Sequence, residues 1–142
     1  MACGNCGCGG YYVAVNTASQ PFVAAGTNLD PGARASAGGC GLALLATGIQ
    51  INNAGTRLYE AESTVTFTPS AAGTVTLQMY LNGAPLPCTL RQMTVAADTE
   101  YTLTTHAAAF LSGSCAMIKP VVSVVIGGVA GTVNWMSESV KT

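Results

Sequence analysis

The 142 residues are 49% hydrophobic but only 8% charged, against roughly 25% in an ordinary soluble domain, and include 17 glycines and six cysteines. A chain of this length buries roughly 68% of its unfolded surface, so it forms one domain whose core does not depend on metals or disulfides. Five Lys+Arg against six Asp+Glu give a net charge of -1, with no basic cluster to neutralise a row of phosphates, which excludes nucleic acid as the partner.

So little charge opposes association only weakly, which points to a subunit of an assembly. The longest apolar run, Val121 to Ile126, is broken by Ser123 and ends at Gly127 and Gly128. It falls far short of the ~18 to 20 residues that span a bilayer, so no membrane partner is expected. The first ten residues carry neither a basic region nor an apolar one of the kind that directs export. The expectation is folding in a reducing cytosol, with thiols free and any exit from the cell by lysis or within a particle.

No stretch of a dozen residues holds apolar positions at helical spacing, while Thr, Val and Gly recur throughout, so the chain reads as all-β. After the Cys/Gly-rich segment 1–10, strands are expected at Tyr11 to Thr17 and Phe22 to Ala25, and the Gly/Ala-rich stretch Asp30 to Gly41 reads as a loop. Short strands follow at Gly41 to Leu45 and Ile49 to Asn52. Leu58 to Thr68 alternates with Val65 and Phe67 inward, and Pro69 to Gly73 supplies a turn.

Thr74 to Leu81 shows the cleanest alternation, with Val75, Leu77, Met79 and Leu81 on one face. Asn82-Gly83 suits the positive φ angles of a type I′ turn, so Ala84 to Cys88 returns as a partner strand. Pro85 and Pro87 restrict that strand to an edge or a short length. Leu90 to Val95, a turn at Ala96 to Asp98, and Glu100 to His106 with Tyr101 and Leu103 inward come next, then Ala116 to Val125 and Ala130 to Met136. Short strands about ten residues apart without helices indicate a sandwich or barrel. No repeat or linker divides the chain beyond an N-terminal segment 1–10 and a β domain 11–142.

From Gly48 to Gly83 the order is an Ile49/Ile51 strand, Asn53-Ala54-Gly55, a Leu58-Tyr59 strand leading to Val65-Thr66-Phe67-Thr68, a Pro/Gly turn, and Gly73 to Gly83. This resembles the trimeric jelly rolls of the tumour necrosis factor and complement globular-head type. It looks closer still to small versions encoded by phages and prophages of Gram-positive bacteria, similar in pattern to spore-surface collagen-like glycoprotein heads. The resemblance extends over about Tyr11 to Val140. Arg57-Leu58-Tyr59 stands where the family has a Gly-Tyr pair, and the Cys-rich start has no counterpart. It implies an antiparallel jelly-roll sandwich that trimerises around a threefold axis, with Val121 to Ile126 and Ala130 to Met136 as the last hairpin.

Catalysis needs titratable groups gathered in a cleft. The chain has one histidine, His106, expected at a strand end with Ser112 and Cys115 not far along, and its six carboxylates are scattered. No elbow or triad signature accompanies them, so a solvated His is the plain reading and no catalytic residue is assigned. Glu60 and Glu62 share one side of a strand, which suits a wet face as well as a cation. Cys3, Cys6 and Cys8 are the sharpest local signal, because two thiolates two residues apart can hold a tetrahedral metal. Without a second Cys or His pair at matching spacing, the alternatives are a disulfide cluster or a Gly-rich attachment tail. No cofactor is expected apart from a metal at those cysteines. The outward threonines could hydrogen-bond sugars or simply be solvated strand residues, and the single Trp135 suits core or interface more than a glycan platform.

The leading expectation is therefore a non-enzymatic virion protein, a homotrimer on the capsid surface of a bacteriophage. It would act as a decoration or head-fibre protein that contacts the major capsid protein or another virion protein through segment 1–10. The rivals are a glycan-binding adhesin head, at a tail-fibre tip or spore surface, and a secreted signalling-type trimer.

Overall fold

The computed structural model describes residues 9–52, 57–111 and 119–142. Every regular element among them is a strand. The first sheet runs β11 (Tyr101–Leu111), β7 (Arg57–Pro69), β13 (Gly131–Lys141), β1 (Gly10–Asn16) and β4 (Ala33–Gly39), with β2 (Gln20–Phe22) pairing β13. The second runs β10 (Arg91–Val95), β8 (Gly73–Leu81), β12 (Val121–Gly127), β6 (Gly48–Ile51) and β5 (Leu42–Leu45). There β3 (Thr27–Asn28) pairs β12 and β9 (Ala84–Pro85) pairs β8. All pairings are antiparallel.

Alternation puts one face of each sheet into a shared core. Val75, Leu77 and Met79 from the second sheet meet Val65, Phe67, Val133 and Met136 from the first, all of them buried. Leu81, Tyr101 and Leu103 pack against this core while only partly buried. Phe67 sits at its centre, edge-on to Phe22 at 6.1 Å between ring centres and tilted against Tyr101 at 6.0 Å. Asn82 and Gly83 adopt φ of 52° and 82°, the two positive angles that a type I′ turn requires.

Several expectations are corrected. The stretch read as a loop from Asp30 to Gly41 contains β4, which lies at the sheet edge with both faces largely exposed, so nothing enforces alternation in its sequence. Its small residues admit the Tyr11 ring, which a Cβ on Gly38 would strike. The strand expected at Phe22 to Ala25 ends at Phe22, because Gly26 N–H bonds back to the Val23 carbonyl in a turn. The return strand after Gly83 spans only Ala84 and Pro85, consistent with the missing proline donors.

The last two strands do not form a hairpin. β12 lies in the second sheet and β13 in the first, joined across the sandwich by a turn in which Gly128 has φ 94°. Residues 116–118 of the strand expected from Ala116 lie outside the described residues, and β12 begins at Val121.

Candidate functional site

The outward face of the first sheet carries most of the residues singled out in the sequence. Cross-strand register places them in rows. Tyr11 faces Lys141, Lys141 faces Glu60 and Glu60 faces Ala108, while in the next row Val13, Ser139, Glu62 and His106 follow in the same way. A third row holds Val15, Ser137, Thr64 and Thr104. Beyond it Trp135 pairs with Thr66 and Thr66 with Thr102. The threonines satisfy one another, with hydroxyl pairs Thr64–Thr104 and Thr66–Thr102 each at 3.0 Å.

His106 is thus in the middle of β11 and not at a strand end, because that strand continues to Leu111. Glu60, Glu62, His106 and Lys141 line one shallow depression with Ser139. The two carboxylates do share a side, and both are exposed. Among the described residues no three His, Cys, Asp or Glu side chains are placed to hold a metal ion. Ser112 and Cys115, the residues weighed beside His106, lie outside the described residues, as do Cys3, Cys6 and Cys8.

Trp135 reaches this face through a bulge. The register of β13 on β7 shifts between Val133 and Trp135, so Val133 points into the core and Trp135 out, half-buried. The intervening Asn134 is held by its side-chain amide, which donates to Thr68 Oγ1 at 2.9 Å and Glu100 Oε2 at 3.1 Å. Across the face, Tyr11, Val13, Val15 and Trp135 supply apolar surface, the middle of β13 supplies serines, and charge collects at the Glu60–Lys141 end. An apolar strip along β1 and at Trp135, flanked by small hydroxyl side chains and with charge gathered at one end, is suited to packing against protein.

Cysteine chemistry differs from the expectation of free thiols. Cys40 is disulfide-bonded, and its partner lies outside the described residues. Cys88 is free and exposed in the turn before β10, at φ 63°.

Glu138 is a functional-type group that no motif in the sequence singles out. It pairs with Ala14 on β1 and Ser63 on β7 and points into the sandwich, where it is fully buried. Ser63 is committed elsewhere, donating to the Ser137 carbonyl at 2.9 Å. Neither Glu138 oxygen has a hydrogen-bond partner of acceptable geometry. Desolvation drives the carboxyl up to about 8, and the nearby Ile49 backbone offsets this only in part. The Tyr59 hydroxyl is likewise buried without a partner, and burial raises its pKa. The signal was present in the spacing of Met136, Glu138 and Val140, which continues the inward series once β13 is extended to Lys141.

Two antiparallel sheets packed face to face, with neighbouring strands in sequence repeatedly crossing from one to the other, make this an all-β jelly-roll sandwich. Among solved structures it is similar to the PRD1 vertex protein P5, with TM-score 0.65 and 13% identity over 93% of this chain and 94% of that one. It is also similar to Eiger TNF from S. frugiperda, with TM-score 0.59 and 13% identity over 94% of this chain and 91% of that one. The chain therefore has the jelly-roll fold that its sequence pattern implies. No protein-family model matches the sequence, and no curated protein does.

Proposed function

We propose that this chain is a non-enzymatic structural protein of a bacteriophage virion, displayed on the capsid as a homotrimeric decoration or head-fibre protein. The observation that carries the reading is a whole-length jelly-roll likeness to the PRD1 vertex protein P5, in a chain whose first sheet carries an outward strip of Tyr11, Val13, Val15 and Trp135 beside the small hydroxyl side chains of Ser137 and Ser139. Closed threefold packing of that face would bury Val13, Val15 and Trp135 and leave the second sheet facing solvent.

A non-catalytic role is supported by where the perturbed groups sit. Tyr59 and Glu138 are inside the sandwich, where no substrate reaches them, and His106 lies on an open sheet face. Segment 1–10, with Cys3, Cys6 and Cys8, is the proposed attachment element, contacting the major capsid protein or another virion protein. Electron cryomicroscopy of particles that carry the chain tests this. A threefold jelly roll mounted on the capsid surface is expected. Purified particles that lack the chain, with all of it in the soluble host fraction, would overturn the proposal.

A further inference from the structure

The second sheet contains a groove that the virion reading leaves unused. On one side β12 pairs continuously with β8. On the other it pairs with β6 only at Val121 and Val122, and with β3 only at Val125 and Ile126. Between those short partners the ladder is bridged by a single bond from Leu29 N–H to the Val124 carbonyl at 2.9 Å. The gap opens a depression of about 450 Å³. Asn28 braces its rim by donating from its side-chain amide to the Thr47 carbonyl at 3.1 Å.

Its lining has a particular chemistry. Tyr80 stands directly across from Ser123 on neighbouring strands, both half-exposed. Asn28, Thr47 and Asn82 complete the polar wall, and Gly83 leaves open space where a side chain would stand. Among the described residues, the hydroxyls of Tyr80, Ser123 and Thr47 and the side-chain amide of Asn82 have no protein hydrogen-bond partner. No Asp, Glu, Lys, Arg or His lines the groove.

An aromatic ring offers an apolar face, and the hydroxyls and amides around it both donate and accept. A ligand that matches must be uncharged, must carry an apolar C–H face, and must present several hydroxyls at its edge. We infer that this groove is a binding site for a neutral sugar, a pyranose unit stacked on Tyr80 with its hydroxyls shared among Ser123, Asn82 and Thr47. The site lies on the second sheet, so threefold packing through the first sheet would leave it open. The inference goes beyond the structural role proposed above and does not depend on it.

Titration of the isotope-labelled full chain with the methyl glycosides of glucose, galactose and N-acetylglucosamine, followed by NMR, tests the inference. Methyl glucuronide serves as the anionic control. At least one neutral glycoside should bind in the millimolar range usual for so small a ligand, with shifts confined to residues around Tyr80 and Ser123. Tyr80→Ala and Ser123→Val should each weaken that binding tenfold or more. Valine keeps strand preference while filling the floor, so Ser123→Val decides if Tyr80→Ala fails to fold. No binding by any neutral glycoside, binding by the glucuronide alone, shifts elsewhere on the surface, or wild-type affinity in a folded Ser123→Val would each overturn the assignment.

Discussion

Glu138 makes the stability of this protein depend on pH with a definite sign. Its carboxyl is fully buried with both oxygens unpartnered, and its pKa rises from 4.5 to about 8. Ala14 faces it from β1, Ser63 from β7 and the Ile49 backbone from β6, and among the described residues no Lys or Arg is buried. Between pH 4.5 and 8 the unfolded chain releases this proton while the folded chain keeps it, so stability falls as pH rises and levels off above 8. At about 1.36 kcal/mol per pH unit, the interval corresponds to a loss on the order of 5 kcal/mol. That is a large share of the roughly 5 to 15 kcal/mol that holds a typical domain together.

Urea unfolding at fixed protein concentration from pH 5 to 8 measures it. Wild type should lose stability steadily across that range. Glu138→Gln, which cannot ionise, should flatten the slope, and Glu138→Leu should be more stable than wild type at pH 8 by several kcal/mol, because replacing a buried charge with a packed apolar side chain removes its desolvation cost. A wild-type stability that is flat or rises with pH, or a Glu138→Gln slope equal to that of wild type, would refute this account of the core.

Other outcomes follow from the same structure. Gly128→Ala should cost about 2 to 3 kcal/mol in thermal unfolding, since Gly128 sits at φ 94° and an added Cβ would strike the Thr74 carbonyl. His106→Ala should change stability by less than about 0.5 kcal/mol and leave particle assembly intact, because His106 is exposed on the edge strand β11, at the far end of the sheet from Val13 and Val15. Loss of a measured turnover in that variant would reveal a catalytic role. Removal of residues 1–8 should leave a folded protein with a nearly unchanged melting temperature under reducing conditions but abolish incorporation into particles. The cut spares Gly10, whose N–H bonds Thr142 Oγ1 at 3.0 Å. Unfolding of the truncated chain would assign the segment to the core.

The parts of the fold legible in the sequence are those where one face is buried and the other wet. Val75, Leu77 and Met79 alternate because β8 lies between the core and solvent, and the register could be read directly. The edge strand β4 gave no such signal, since its exposed Ala, Ser and Gly residues carry no pattern. The separation of β12 from β13 was hidden because a hairpin and a sheet-to-sheet crossover use the same short glycine turn. The outward placement of Glu60, Glu62 and the threonines was visible from alternation. The bulge that turns Trp135 outward and the gap in the ladder that makes the sugar groove are set by pairing between distant strands, which no local pattern records.

The proposed threefold assembly uses the outward face of the first sheet, and light scattering of wild type beside Val13→Glu decides whether it does. Val13 lies on β1, between Tyr11 and Val15 along the strand and between Ser139 and Ser36 across it. Wild type at micromolar concentration should have three times the chain mass of 14.3 kDa, and the variant, with a charge forced into the interface, should have the mass of one folded chain. A wild-type monomer, or a Val13→Glu protein that remains a trimer, would rule out that interface.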